Sequence, residues 1–252
     1  MPAPERMLTY LRQAIMLVRA TPGRRGHLID LVDATDVLVS GDLHGHVGNF
    51  QTLLKTADLA NNPGRHFVLQ EVIHGNYRYP AGGDKSHQLI DLFAALKCQF
   101  PKRVHYLPGN HEMAQWTARK VLKADEDLNA LFEDGVRAAY GPKFGPEVYQ
   151  TYLELFKALP VVIRAPNRVL ICHSLPTART LPMFDPIRQN PQRKGFCKRD
   201  GLVTGLPVNQ DSRQVGNFGY DLPILFLFNF NGKIHFNIPY SDMHFLPDYN
   251  HT

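Results

Sequence analysis

Four short polar clusters in this chain bring together carboxylate, imidazole and amide oxygen, the donors that a divalent metal ion takes. Asp42 and His44 stand two residues apart in "SGDLHGHVGNF", with Gly41 and Gly45 on either side. Glu71 and His74 lie in "QEVIHGN", Asn110 and His111 in "PGNHE", and His173 directly follows "VLIC". Oxygen and nitrogen donors of these types suit hard-to-borderline ions such as Mn²⁺, Fe²⁺ or Zn²⁺. Cysteine stays out of the set except for Cys172, whose thiol strand alternation turns away from His173. A purely structural zinc site normally uses thiolates, so the mixed set reads as catalytic. Taken singly, each residue has an ordinary explanation: Asp42 forms a turn, His173 is a satisfied core histidine, "GNH" is a common loop string. Four such clusters, each placed just after an apolar run, call for a common cause.

The apolar runs are the elements that must position these donors. "DVLV", "HFVL", "RVHYL" and "RVLIC" are continuous and short, the pattern of strands buried on both faces. Between them lie helical patterns. Residues 86–100, "SHQLIDLFAALKCQF", read as a helix capped by Ser86, with Leu89, Leu92, Phe93 and Leu96 on one face. "AQWTARKVLK", "EDLNALFEDGVRAAY" and "PEVYQTYLELFKAL" form a helical insertion over 113–158, between the third and fourth strands. That insertion is the expected cover of the site, and its Trp116, Phe132, Tyr140 and Tyr149 are expected in its core or along a pocket. Alternation of strands with helices predicts an α/β fold with functional groups at the carboxyl ends of the strands. Residues 223–240, "PILFLFNFNGKIHFNIPY", read as a C-terminal β-hairpin turning at Asn231-Gly232. The Pro- and Gly-rich stretch 176–219 reads as loop, and 1–30 as an amphipathic helix with a connector. One domain over 1–252 accommodates all of this.

Composition narrows the function classes. The 252 residues carry 44% hydrophobic content and a net charge of +5, which favours anionic substrates without marking a nucleic-acid binder. The densest basic stretch, 188–201, reads as a solvated loop, so no specific nucleic-acid partner is expected. Three cysteines, with no CxxC, do not make a disulfide framework and fit a reducing, cytoplasmic compartment. Arg12 and Arg19 interrupt the apolar residues of the N-terminus, which therefore does not read as a signal peptide; a mitochondrial-type presequence is the weaker competitor, being Arg-rich with Glu5 its only acid. The longest apolar run, "ILFLF", is far too short for a membrane span.

"GDLHG" followed in order by "GNHE" and by a strand ending in His resembles the calcineurin-like metallophosphoesterases, specifically their phosphoprotein phosphatase branch. The resemblance covers roughly residues 35–175, and "LQEVIHGN" with "CHSLP" is similar to a bacterial subgroup of it. It implies a β-sandwich flanked by helices with two metal ions at one edge, and hydrolysis of phosphate esters, on phosphoproteins or small molecules, by a metal-activated hydroxide. By position it places Asp42 and His44 on the first metal, Glu71 between the two, Asn110 and His173 on the second, and His111 as the general acid. Manganese is the expected ion, with iron or zinc as alternatives.

Three departures from the family pattern stand in the sequence. Glu71 takes the place of the bridging aspartate. His74 and Gly75 stand where the family has an Asp that orients the catalytic histidine and an Arg that grips phosphate. His74 can hydrogen-bond His111 but offers no fixed negative charge, so His111 is expected to be a poorer imidazolium; Arg78, nearby in sequence, is the candidate replacement clamp. No Gly-His pair follows residue 175: Leu206 of "LVTGLP" stands where that histidine would be, and His235 sits in the hairpin pattern. An alternative function follows, a catalytically impaired binding or regulatory module on the same fold.

Overall fold

The computed structural model describes residues 3–167 and 169–173, together with the backbone of one strand at 226–229. Helix α1 (Pro4–Arg19) opens the chain with Pro4 and Glu5 in its first turn and Arg19 in its last, the polarity that complements a helix dipole. Its apolar stripe, Met7, Leu8, Leu11, Ala14, Ile15 and Val18, is buried. Strands β1 (Arg24–Arg25) and β2 (Leu28–Asp30) follow, then β3 (Asp36–Asp42), α2 (Val47–Ala57), β4 (Arg65–Gln70), α3 (His87–Gln99) and β5 (Val104–Leu107). Helix α4 (Asn110–Thr117), strands β6 (Leu122–Lys123) and β7 (Glu126–Asp127), helix α5 (Leu128–Ala158), and strands β8 (Val162–Arg164), β9 (Val169–Cys172) and β10 (Phe226–Asn229) complete the order.

Two sheets form. β3, β4 and β5 are all parallel, as helical crossovers require. The other sheet runs β1-β2-β8-β9-β10, parallel only between β2 and β8. The strand period of two explains how they stack. Val68 of β4 and Leu107 of β5 pack against Ile29, Ile163 and Ile171 of the second sheet, forming a sandwich interior. Their neighbours Phe67, Leu69, Val104 and Tyr106 face the other way, into a larger core shared with α1, α3 and α5. Strands buried on both faces thus carry apolar residues on both, and in β4 and β5 only His66, His105 and Gln70 break the apolar run among the buried positions.

Four local readings change. Ser86 stands at the N-cap of α3 but makes no side-chain capping bond; its hydroxyl donates to Asp84 instead (2.7 Å). Leu92 is 39% exposed while Ile90 takes the buried place, because α3 is covered on two sides, by the sheet and by α1 and α5. The insertion begins at Asn110, and a short β6–β7 hairpin interrupts it where Ala124 and Asp125 turn with positive φ. Its two long helical stretches meet at Gly141, at φ 71°, a conformation glycine adopts without strain, with Pro142 next. β10 pairs antiparallel with β9. The turn at Asn231-Gly232, Leu206 and His235 lie outside the described residues.

Candidate metal centre

The donors converge because three parallel strands and β9 end on one edge. β3 ends at Asp42; Glu71 follows β4, Asn110 and His111 follow β5, and His173 follows β9. The chain then turns sharply. His44, Glu71 and His74 all have positive φ (40°, 35° and 61°), an uncommon conformation for side-chain-bearing residues and one that clusters at functional sites. Backbone bonds hold these turns together: Leu43 and His44 N–H groups donate to the Glu71 carbonyl (2.8 and 3.1 Å), and Gly45 N–H to that of Val72 (2.7 Å). Gly109 allows a close approach, since a Cβ there would lie 2.4 Å from the Glu71 carboxyl carbon.

One ligand atom each from Asp42, Glu71 and His173 lie within 4.8 Å of one another. His173 sits 3.4 Å from Asp42 through Nδ1 and 3.2 Å from Glu71 through Nε2. Asn110 Oδ1 lies 3.4 Å from His173 Nε2, which joins the amide to the cluster. His44 places Nδ1 2.9 Å from the Ile73 carbonyl. A carbonyl only accepts, so Nδ1 carries the proton and Nε2, 3.9 Å from Glu71, presents a lone pair.

Glu71 is 2% exposed. Burial, reinforced by the negative charges of Asp42 and Glu112, pushes its carboxyl well above the usual range. Its ion pairs among the described residues are all with histidines. A buried carboxylate beside a second one, ringed by imidazoles, is a donor set that fits a divalent cation.

His111 lies over Glu71: its backbone N–H donates to the carboxylate (2.9 Å) and its Nε2 stands 4.0 Å away. His74 and His111 face each other through their Nδ1 atoms at 2.6 Å. Burial, then His74, His44 and His173, hold the His111 imidazole down to about 2, so the free ring is neutral. Arg78 does not reach this cluster through any described contact. Its guanidinium donates to the Gly75 carbonyl and pairs with Asp84 (3.7 Å) and Glu126 (3.8 Å).

Some supporting residues had little signal in the sequence. Glu112, fully buried, accepts from the N–H groups of Val72, Ile73 and Gly109 and from the Tyr106 hydroxyl, tying the ends of β4 and β5 together. An acid in the first turn of α4 was the only hint. Asp84 accepts from Gly75 N–H and from the Ser86 hydroxyl, and Ser86 in turn accepts from His74 N–H. Gln115 accepts from His74. Nothing local to "GGDKS" or "EMAQW" predicts either contact.

Residues 35–214, which contain every one of these donors, match the family profile described as calcineurin-like phosphoesterase. The chain belongs to that family. A probable serine/threonine-protein phosphatase of Encephalitozoon cuniculi (strain GB-M1) is 30% identical over 174 residues, covering 68% of this chain and 33% of the relative. The chain thus matches about a third of that curated relative's length. Among solved structures, a serine/threonine phosphatase from Saccharomyces cerevisiae with similarity to human phosphatase PP5 superposes with TM-score 0.54 at 19% identity. It covers 82% of this chain and 58% of that one. The likeness shows the calcineurin-like phosphoesterase fold, in which helices flank paired sheets. No helix among the described residues is long and apolar enough to cross a membrane.

Proposed function

We propose that this chain hydrolyses phosphate monoesters with the help of two divalent ions, manganese first among them, as a single domain over 1–252. The observation that carries the proposal is the buried Glu71 carboxylate with Asp42, His44, His173 and Asn110 gathered around it at one sheet edge. Asp42 and His44 would hold one ion, Asn110 and His173 the other, and Glu71 would reach both. When bound, the ions supply activation of the attacking water and neutralise charge on the phosphoryl oxygens.

The chain's own residues do the rest. Gly109 and the left-handed turns bring the backbone close to the Glu71 carboxylate. His111 places Nε2 4.0 Å from that carboxylate, where it would give its proton to the departing oxygen. The free ring is neutral, so the negative charge that draws a proton onto Nε2 has to arrive with the phosphate itself. Arg78 would contact phosphate only by releasing Asp84 and Glu126. The relatives are named as serine/threonine phosphatases, which favours phosphorylated protein over small esters as the natural substrate. Among the described residues, buried Cys172 and half-buried Cys98 form no disulfide.

The test is metal content after dialysis against Mn²⁺, with hydrolysis of 4-nitrophenyl phosphate on the same sample. Two ions per chain with turnover is the expected result. One ion or none, without turnover, would make the chain a binding or regulatory module on this fold. An Asp42→Asn variant that loses metal but keeps activity would overturn the mechanism.

A further inference from the structure

The His74–His111 contact raises a question of polarity. Two Nδ1 atoms at 2.6 Å need one proton between them, and either ring could supply it. Gln115, 3% exposed on α4, decides. Its side-chain nitrogen lies 3.2 Å from the backbone carbonyl of Asn129 and 2.9 Å from the Tyr149 hydroxyl. The Asn129 carbonyl can only accept, so the amide nitrogen must face it and the amide oxygen must face the other way. On that other side stands His74 Nε2, 2.7 Å from Gln115 Oε1. An amide oxygen only accepts as well, so His74 Nε2 carries a proton. In the neutral ring His74 Nδ1 then has a lone pair and accepts from His111 Nδ1–H. His111 is left with its Nε2, the nitrogen nearest Glu71, free for the reacting group.

We infer that Gln115, held by Asn129 and Tyr149, is a positioning residue that sets the tautomer of His74 and thereby which nitrogen His111 turns to the substrate. Among the described contacts, the Gln115 side chain bonds His74, Asn129 and Tyr149 and neither the donors nor the His111 ring. It acts through His74, whose ring is perpendicular to that of His111 (centroids 4.8 Å apart) and packs its other side on Phe132 (6.2 Å). A neutral amide on a helix thus takes over the orienting task at a place where the chain has His74 in a buried setting (7% exposed). The inference rests on the hydrolase reading for its functional half and on hydrogen-bond chemistry alone for its tautomer half.

Two measurements separate these halves. Long-range ¹H–¹⁵N spectra of the full chain, ¹⁵N-labelled at histidine and recorded with and without diamagnetic Zn²⁺, report which ring nitrogens carry protons. The expected result is His74 protonated at Nε2 and His111 at Nδ1. In Gln115→Met, which keeps the volume and removes the acceptor, His74 should become a mixture of tautomers. Gln115→Glu, buried and protonated on the oxygen that faces the Asn129 carbonyl, keeps an accepting oxygen opposite Nε2 and should restore the single one. The second measurement compares kcat on phenyl phosphate with kcat on 4-nitrophenyl phosphate. The more basic leaving group depends on His111 and the less basic one hardly does. Gln115→Met should therefore lose about tenfold or more on phenyl phosphate and less than about threefold on 4-nitrophenyl phosphate, with rescue by Gln115→Glu. Equal losses on both esters with His74 unchanged would mean a merely structural role and overturn the inference. So would a His74 protonated at Nδ1 in the wild type. A wild-type chain with the expected tautomers that hydrolyses neither ester would sink the hydrolase reading and leave the tautomer assignment standing. Should Gln115→Met not fold, Tyr149→Phe removes one hydrogen-bond partner of the amide without changing volume and should give the same selective loss in smaller measure.

Discussion

The strands β4 and β5 carry two pairs of facing histidines, one near their beginnings and one beyond their ends. Within the sheet His66 Nδ1 lies 3.0 Å from His105 Nε2, the ring planes 6° and the centroids 5.2 Å apart, both rings buried, and Asp33 lies 3.4 Å from His66. His74 and His111 meet at 2.6 Å with ring planes 88° apart, next to Glu71 and the other donors. Residue type and spacing do not separate the pairs. Location does. Inside the sheet, regular backbone holds the rings among apolar neighbours such as Val68 and Leu107, where an imidazole can only be neutral. Past the strand ends the backbone turns left-handed, carboxylates enter, and the His111 side chain keeps 19% exposure. Under the proposed function, a histidine pair becomes chemical machinery when the chain around it leaves the sheet.

The sharpest way to break this comparison is to remove one histidine from each pair. His111→Asn should lower kcat on a poor leaving group by about 10²–10⁴ and leave thermal stability nearly unchanged. His105→Asn should do the reverse, lowering the melting temperature with kcat intact. Equal kinetic losses from both would erase the distinction.

Metal binding sharpens the contrast next. A cation that relieves the repulsion between Glu71 and Asp42 stabilises only the folded chain, by about 2.7 kcal/mol at a hundredfold excess over its Kd. Calorimetry should show the melting temperature rise with Mn²⁺, fall back with chelator, and stay flat in Asp42→Asn. A response that survives this substitution would place the ion elsewhere.

Acid should expose the other pair. Burial lowers the pKa of His66, against the pull of Asp33, and burial lowers that of His105 well below 6.5. With folded values below the unfolded one, the unfolded chain binds more protons, so stability is full above pH 6.5 and falls as pH drops below it. Each ring that stays neutral costs about 1.4 kcal/mol per pH unit in that window. Urea midpoints of the metal-free Asp42→Asn chain between pH 8 and 5 should show this slope, and His105→Phe should flatten it.

The smallest effect belongs to Arg78. Its partners are buried Asp84 (3.7 Å) and exposed Glu126 on β7 (3.8 Å), and an exposed pair such as the second contributes about 0.2–1 kcal/mol. Arg78→Ala should shift KM for 4-nitrophenyl phosphate by less than about threefold. A tenfold rise, about 1.4 kcal/mol, would instead put the guanidinium on the phosphate.

Much of the frame was legible because its signals are local. Continuous apolar runs marked β3, β4, β5 and β9, glycines marked the turns after them, and period-3.6 stripes marked α1, α3 and the two parts of α5. That the polar residues Asp42, His44, Glu71, Asn110, His111 and His173 stand just past strand ends was legible too, since a polar group after an apolar run needs only its neighbours to be recognised. Leu92 was misread because a helix covered on two sides has no single apolar face.

What the sequence determined by itself was therefore the order of elements and the identity of the groups at one sheet edge. Only the tertiary structure decided how those groups are connected. That Ser86 supports His74 and leaves its helix uncapped, that Arg78 is engaged by Asp84 and Glu126, and that Gln115 sets the polarity of the histidine pair are contacts between residues 6 to 48 positions apart. The physical reason is that local pattern encodes which face a residue shows, whereas a hydrogen bond's partner depends on which distant carbonyl or ring the packing brings within 3 Å.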